Sequence, residues 1–201
     1  MPLDSVNEEG MRPEIAMSWR RSTLCGVQPD VQIPVDSGTD PDTRLLRSAV
    51  PVLEELADQI AGTGLCVLLA DRDCRIVRRV FDDTRVERRL ETLGILSGAL
   101  CAEDMAGTNA IGTPFELRQG VVINGSEHYL EQLRGLSCYG HPIIHPATRR
   151  IEGIRDMTIE EKIGEVISHI EHLMAEHSWD RARQEIERLM KLFPRHERVL
   201  N

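Results

Sequence analysis

The chain has 201 residues and a formal net charge of −9, and 41% of its residues are hydrophobic while only 3% are aromatic. This length suits one domain of ordinary size with flanking helices, and so acidic a chain lacks the clustered Lys and Arg that broad contact with nucleic-acid phosphates requires. No apolar run approaches the ~20 residues of a membrane span, and the first residues lack the basic and apolar regions of a signal peptide, so we expect a cytoplasmic protein with no membrane partner.

Two helices are predicted before the sheet. The segment 12–25 has Pro13 in its first turn, where the missing amide hydrogen is not needed. Its apolar side chains can form one stripe at helical spacing: Ile15, Trp19 and Leu24. Residues 27–42 contain three prolines, which indicate a linker or a loop. A second helix is predicted over 43–61, because apolar residues recur there at helical spacing.

The hydrophobic period changes after Gly64. The continuous apolar run 65–70 is typical of a strand that is buried on both faces. The residues 71–74 predict a turn, and 75–81 is the predicted hairpin partner. Two glycines interrupt the residues 82–100, which indicates a passage from helix to loop.

Three further strands are predicted in the second half of the chain: 121–123, 138–144 and 151–157. Between them, Ser126 is the predicted cap of a short helix over 127–133, and 145–148 is a predicted turn. Thr158, with Glu161 three residues later, matches a capping box that starts a helical region running nearly to the end of the chain. About five strands with helices at both ends predict a mixed antiparallel α+β domain.

Several motifs in the chain resemble those of one protein family. They are, in chain order, Arg12-x-x-Ile15-x-x-Ser18-Trp19, Val50-Pro51-Val52-Leu53-Glu54-Glu55-Leu56, Glu103-x-x-x-Gly107-Thr108-Asn109-Ala110-Ile111-Gly112-Thr113, Val122-Ile123-x-Gly125-x-Glu127-His128-Tyr129, Cys138-x-x-x-Pro142-Ile143 and Gly153-Ile154-x-Asp156-Met157-Thr158. Over roughly residues 12–158 the chain resembles the GAF domain of sigma-54-dependent bacterial activators of the acetoin-catabolism type. The resemblance implies a GAF-like, PAS-related α+β fold, with an antiparallel sheet of about five to six strands and flanking amino- and carboxy-terminal helices.

The chain departs from the usual architecture of that family. It contains no Gly-x-x-x-x-Gly-Lys loop of an ATPase module and no recognisable helix-turn-helix. The resemblance therefore implies sensing without the output machinery, either in a stand-alone sensor or in one piece of a larger regulator. We predict an N-terminal helix and linker over 1–42, a sensor domain over 43–158, and a helical pair over 159–201 whose apolar stripes form a homodimer interface.

A GAF fold presents one face of its sheet to a cavity that loops and short helices cover. The resemblance places the candidate ligand-binding residues there: Cys66, Leu68, Gly107, Thr108, Asn109, Ile111, Thr113, Glu127, His128, Cys138 and Pro142. The segment 107–113 has two interpretations, a ligand contact or a self-satisfied turn that fixes a helix on the sheet, and we favour the turn. The carboxylate of Glu127 favours a protonated His128 that senses pH or binds an anion. In the alternative, which we favour, Glu127 caps the short helix and His128 packs at its edge.

The five cysteines include no Cys-x-x-Cys pair, which indicates free thiols rather than a zinc ribbon. Cys138 and His141 cannot easily bind one ion, because residues three apart on a strand point to opposite faces. No metal site or cofactor is therefore predicted. Redox sensing through Cys101 or Cys138 stays open, although no basic residue is adjacent to lower the thiol pKa.

The leading functional hypothesis is a non-enzymatic sensor of transcriptional control. A small, partly polar organic effector enters the cavity and shifts the terminal helices of a homodimer, and DNA is contacted only through another domain or protein. The alternative is a ligand-free module that dimerises or docks a partner, which a tightly filled cavity would favour. An enzyme such as a thiol-based reductase is disfavoured, because no Ser/His/Asp or paired-carboxylate constellation stands out.

Overall fold

The structure is a computed structural model that describes residues 11–36, 43–60 and 64–160. Its helices are α1 (Pro13–Leu24), α2 (Thr43–Ile60), α3 (Thr84–Thr92), α4 (Glu103–Ala106) and α5 (Gly112–Leu117). Its strands are β1 (Cys66–Asp71), β2 (Ile76–Phe81), β3 (Val121–Asn124), β4 (Leu136–Ile144) and β5 (Ile151–Glu160). The predicted helices over 12–25 and 43–61 and the five predicted strands are confirmed.

The strands form one antiparallel sheet in the order β2-β1-β5-β4-β3. The last strand, β5, occupies the centre and pairs with β1 on one side and with β4 on the other. In this register Asp156 lies opposite Leu68, and Thr158 lies opposite both Cys66 and Cys138. Two polar residues of β5 therefore stand in the middle of the sheet with apolar residues as cross-strand neighbours.

The strand β1 is buried on both faces, as its unbroken apolar run predicts. Its side chains alternate between two cores because successive residues of a strand point to opposite faces. Val67 and Leu69 pack against Leu53 of α2 on one face. On the other face Leu68 shares a core with Ile15 of α1. The helix α1 is thus packed into the same body as the sheet.

The helices α4 and α5 lie across the second face of the sheet, and we call residues 103–117 the lid segment. The lid crosses β4 so closely that a Cβ at Gly140 would stand 1.7 Å from the carbonyl oxygen of Ala110. At Gly107 the backbone φ is 63°, a conformation that favours glycine, and a Cβ there would stand 2.6 Å from the side chain of Tyr129. The lid therefore docks by backbone contacts that additional side-chain atoms would block.

The buried stripe of α1 differs from the predicted one. Ile15 is buried and Trp19 is half-buried, but Leu24 is 73% exposed, so its assignment to the stripe is wrong. Ser18 and Ser22 occupy the inward positions instead. Burial of these serines is tolerated because their hydroxyls are hydrogen-bonded. Ser22 Oγ donates to the carbonyl oxygen of Ser18, and Ser18 Oγ meets polar partners in the lid.

The predicted helix over 127–133 with Ser126 as its cap is also wrong. Two short 3-10 turns occupy this stretch: Gly125–Glu127 and Glu131–Leu133. The main chain between them pairs with the lid, because the amide of Tyr129 donates to the carbonyl oxygen of Thr108 at 3.1 Å. A tertiary hydrogen bond thus takes the amide that a continuous helix would need.

The strand β5 runs to Glu160, so the helix predicted to start at Thr158 does not start there. Thr158 is 3% exposed, and its hydroxyl donates to Asp156 instead of capping a helix. The helices predicted after Glu161 lie outside the described residues, and the divisions at residues 42 and 158 stay predictions. In the described ranges no helix is both long enough and apolar enough to span a bilayer.

We expect Gly140→Ala to lower the free energy of unfolding by about 3 kcal/mol or more, because the added methyl group overlaps a backbone atom of the lid. Gly135→Ala is the matched control, since nothing stands within 4 Å of a Cβ at that position. Chemical denaturation of the two variants measures the difference. Equal stabilities would show that the lid does not rest on β4.

Candidate functional site

A closed cavity of about 20 Å³ lies between the inner face of the sheet and the lid segment. Such a volume holds about one water molecule. Its apolar walls include side chains from the sheet, from the lid and from the residue Cys101 before it: Leu68, Leu136, Cys138, Ala110, Ile111 and Cys101. Its polar walls are Asn109, His128, Asp156 and Thr158. A few polar groups among apolar walls are typical of a small-molecule site, so this cavity is the candidate site.

Asp156 is the least satisfied polar group of the cavity. Its side chain is 3% exposed, and its Oδ2 accepts a hydrogen bond from Thr158 Oγ1 at 3.0 Å. Its Oδ1 is buried and has no hydrogen-bond partner in the part of the chain that the structure describes. Burial raises the pKa of Asp156 from 3.8 to about 7, because an apolar environment disfavours the charged form.

His128 is the second ionisable group at this cavity, and it is 1% exposed. Burial lowers the pKa of His128 to about 4, and this effect outweighs the attraction of the neighbouring Glu127 carboxylate. Burial therefore disfavours the option of a protonated imidazolium at His128. The Nδ1 atom lies 3.1 Å from the carbonyl oxygen of Gly125. Since a carbonyl only accepts, Nδ1 carries the proton of the neutral ring and Nε2 is an acceptor.

Asn109 borders the cavity but its amide is fully used within the turn. Its Nδ2 donates to the carbonyl oxygens of Cys101 at 2.8 Å and Gly107 at 2.7 Å. Its Oδ1 accepts from the amides of Ile111 at 2.8 Å and Gly112 at 3.0 Å. Two donors and two acceptor sites are the whole capacity of an asparagine side chain. At Asn109 the structure therefore agrees with the interpretation that we favour for segment 107–113, a turn whose polar groups bond to one another.

A buried hydrogen-bond network joins α1 to the outer side of the lid, and we call its five residues the polar clamp: Ser18, Arg21, Glu103, Thr108 and Thr113. Ser18 Oγ donates to Glu103 Oε1 at 2.5 Å and lies 2.7 Å from Thr108 Oγ1 and 3.1 Å from Thr113 Oγ1. Arg21 Nε donates to Glu103 Oε2 at 2.6 Å. Residues of α1 thus neutralise the buried carboxylate and donate hydrogen bonds to it, which fixes the helix against the lid.

Trp19 and Glu127 extend the contact between α1 and the residues below the lid. Trp19 Nε1 donates to the carbonyl oxygen of Glu127 at 2.7 Å, and its ring packs edge-on against Tyr129 with centroids 5.0 Å apart. The Glu127 carboxylate accepts from Arg12 Nε at 2.9 Å and from the amide of Asn124 at 2.8 Å. Glu127 therefore caps the first 3-10 turn and binds α1, and it does not line the cavity.

The structure brings some of the predicted site residues together at the cavity and leaves others elsewhere. Five line it: Leu68, Asn109, Ile111, His128 and Cys138. Six do not: Cys66, Gly107, Thr108, Thr113, Glu127 and Pro142. Whether any of them contacts a ligand stays a prediction. The prediction missed Asp156 and Thr158, although strand periodicity puts both on the face of the buried Ile154.

The thiols of the core are kept protonated. Burial raises the pKa of Cys66, Cys101 and Cys138, and the nearby charge of Asp156 raises each further. Burial also raises the pKa of Cys74 to about 12. Because the thiolate is the reactive form, these surroundings weigh against redox sensing through Cys101 or Cys138.

The geometry of Cys138 and His141 agrees with the analysis of strand faces. Cys138 is 6% exposed and faces the cavity, whereas His141 is exposed on the opposite side of β4. Within the described ranges, no three His, Cys, Asp or Glu side chains stand together as potential metal ligands.

A second, open hollow of about 710 Å³ lies outside the lid, and we call it the open groove. Its walls mix apolar and charged side chains from α1, the β1–β2 turn and the lid: Leu24, Met105, Phe115, Ala102, Arg72 and Asp104. Arg21 and Glu103 of the polar clamp border it as well. The lid therefore has the closed cavity on one side and the open groove and α1 on the other.

Comparison with known proteins identifies the family to which this chain is similar. A family model described as "MimR, N-terminal domain" matches residues 4–173. The propane 2-monooxygenase operon transcriptional activator MimR of Mycolicibacterium goodii is 39% identical over 155 residues, which cover 77% of this chain and 27% of that protein. The acetoin dehydrogenase operon transcriptional activator AcoR of Bacillus subtilis (strain 168) is 30% identical over 148 residues, which cover 70% of this chain and 24% of that protein.

The fold also has a solved counterpart. The crystal structure of the E. coli DhaR(N)-DhaL complex contains a chain that matches with a TM-score of 0.62 at 18% identity, covering 90% of this chain and 67% of that one. The fold is the GAF-like, PAS-related α+β fold that the motifs predict. The chain spans about a quarter of the length of the activators MimR and AcoR, which are 27% and 24% covered.

We expect Asp156→Asn to change how stability depends on pH. The native pKa of about 7 lies above the unfolded value of 3.8, so stability from this group is full below about pH 4 and is lost as the pH rises to about 7. Asparagine does not titrate. The free energy of unfolding of the variant minus that of the wild type should therefore rise by on the order of 4 kcal/mol between pH 4 and 7.

Urea denaturation at several pH values measures this difference. Asp30→Asn, at an exposed position, is the control and should show a constant difference. The titration of His128 occurs in both proteins and cancels. A constant difference for Asp156→Asn as well would mean that Asp156 is ionised and paired in the native protein.

Proposed function

Because the chain belongs to the family of MimR N-terminal domains, the sensor parts of sigma-54-dependent transcriptional activators, we propose that it binds a small organic effector in the closed cavity and passes the signal on through α1. The observation that carries this proposal is the position of the lid. One side of the same short segment forms a wall of the cavity, and the other side holds α1 by the polar clamp.

The small size of the cavity supports coupling between binding and movement. A space for about one water molecule cannot take an effector of three or four carbon atoms unless its walls move apart. The sheet forms one wall and is held by strand pairing on both sides of β5. The lid forms the other wall, and it is two very short helices joined by a loop. The lid is therefore the wall that moves.

Movement of the lid acts directly on α1. Ser18 bonds to residues at both ends of the lid loop, Thr108 and Thr113, and Glu103 at the start of α4 is held by Ser18 and Arg21. Ser18, Glu103, Thr108 and Thr113 are buried and Arg21 is half-buried, so a displaced lid either carries α1 along or leaves polar groups without partners, which costs about 1–3 kcal/mol for each buried one. The effector needs a correspondingly higher affinity for the open arrangement.

The size of the proposed effector is based on the operon names of two relatives. One is named for the propane 2-monooxygenase operon and the other for the acetoin dehydrogenase operon. We propose a neutral, oxygen-containing molecule of this size as the effector here. We also propose that the domain has no catalytic activity, acts as a cytoplasmic homodimer through its terminal helices, and reaches DNA only through another domain or protein.

A ligand-free interaction module is the second candidate function, and the small cavity is the observation that favours it. In that case the core is simply filled, and the open groove or the sheet edges dock a protein. Asp156 Oδ1 has no hydrogen-bond partner among the described residues, and this supports the sensor because buried polar groups of a core are normally hydrogen-bonded.

We expect an effector that binds in the cavity to change the fluorescence of Trp19. The chain has two tryptophans, so Trp179→Phe leaves Trp19 as the single reporter, and its indole contacts Glu127 and Tyr129 across the interface of α1. Small alcohols, diols and ketones are titrated, and melting temperature and emission are recorded together. Both signals should saturate at the same concentration, because one binding event causes both.

Two alanine-to-valine variants locate the binding site in the same assay. Ala110→Val fills the closed cavity and should abolish both signals, whereas Ala102→Val, in the open groove, should leave them unchanged. Leu68→Phe fills the cavity from the sheet side and serves if Ala110→Val destabilises the fold. The opposite pattern would move the site to the groove, and no response to any compound would favour the interaction module.

A further inference from the structure

The cavity offers hydrogen-bond acceptors to whatever occupies it. The first is Asp156 Oδ1, which has no partner among the described residues. The second is His128 Nε2, because the proton of the neutral ring lies on Nδ1, toward the carbonyl oxygen of Gly125. Both residues line the same space, which is only about as large as one water molecule. A molecule centred there is therefore next to both residues.

The potential donors of the cavity are already in use. Asn109 Nδ2 donates to two carbonyl oxygens, and Thr158 Oγ1 donates to Asp156 Oδ2. The remaining polar hydrogens in the walls are the thiol hydrogens of Cys101 and Cys138, which are weak donors, and the acid proton that Asp156 carries below its pKa of about 7. No lysine or arginine is found among the described residues that line the cavity. While Asp156 is ionised, a ligand that only accepts hydrogen bonds, such as a simple ketone, therefore finds no strong donor in the cavity.

We infer that the cavity selects a small uncharged molecule with two neighbouring hydroxyl groups, one donating to Asp156 and the other to His128. This inference rests on the proposed function, since it names the class of effector for the same site. The apolar side chains of Leu68, Ile111 and Leu136 cover the carbon skeleton. A small ammonium ion fits less well, because its third N–H would be buried without a partner among these apolar walls.

Three compounds with the same four-carbon skeleton test the inference: 2,3-butanediol, 3-hydroxy-2-butanone and 2,3-butanedione. They differ in having two, one and no hydroxyl donors. Binding to the full chain is measured by isothermal titration calorimetry and by the Trp19 assay. We expect the dissociation constant to rise by about tenfold for each hydroxyl that is lost, since each loss leaves a buried acceptor unpaired.

The pH dependence of binding provides a second readout on the unmodified protein. The titratable groups that face Asp156 are the thiols of Cys66, Cys101 and Cys138, which burial keeps protonated, and the neutral His128. A ligand that donates a hydrogen bond binds to the ionised form of Asp156. Because the pKa of Asp156 is about 7, affinity for the diol should rise as the pH is raised from 5.5 toward 7, by at most about tenfold per pH unit. A ligand that accepts from the protonated acid shows the opposite slope.

Asp156→Asn should weaken binding of the diol by about tenfold or more and abolish the pH dependence of that binding. The matched control is Asp104→Asn, at an exposed position in the open groove, which should change neither. Tighter binding of the dione than of the diol, or affinity that falls as the pH rises, would overturn the inference and leave the proposed sensor intact. Binding of the diol without a change in Trp19 emission would instead contradict the proposed route through α1. No binding by any of the three compounds would reject the diol assignment.

Discussion

The carboxylate of Glu103 constrains the arrangement of the inner face more than any other group. It is 5% exposed, and an ionised carboxylate at such a depth is tolerated only with charge compensation and hydrogen bonds. Ser18 and Arg21 supply both, and both come from one helix that precedes the sheet by many residues. The position of α1 and the position of the lid therefore depend on each other. Neither can change without exposing or orphaning this carboxylate.

The same side of the sheet contains two buried ionisable groups that, unlike the hydrogen-bonded Glu103, lower the stability of the fold. The buried Asp156 and the neutral, buried His128 both have shifted pKa values because burial disfavours their charged forms. A hydrophobic pair at these positions would avoid both penalties. Perturbed pKa values in a cavity are a common sign of a functional site, although structural networks also produce them. Here the absence of any partner for Asp156 Oδ1 among the described residues favours function over structure.

The sequence predicts the sheet well because its strands carry strong local signals. The apolar run of β1 and the turn before β2 fix a hairpin, and amphipathic spacing fixes α2. The inner face of α1 and the stretch after Asn124 were predicted less well, since their conformations depend on distant partners. Ser18 is buried only because Glu103 is there to accept its hydrogen bond, and Tyr129 leaves the helical path only because Thr108 is there to pair with its amide. Such tertiary hydrogen bonds cannot be predicted from the periodicity of the sequence.

Several of the motif residues predicted to bind a ligand make hydrogen bonds within the protein. Asn109 satisfies its own turn, and Thr108 and Thr113 face α1, so a ligand would meet the apolar side of the lid and the acceptors of β5 and the 3-10 turn. A sensor built in this way separates two tasks. In the proposed sensor, the clamp would keep the unliganded state closed, and Asp156 Oδ1, which has no partner among the described residues, would give a donor ligand a favourable interaction that the closed state lacks. Complete switching between two such states requires about a 10⁴-fold difference in affinity, and two hydrogen bonds to buried acceptors, at about tenfold each, would supply about half of that free energy.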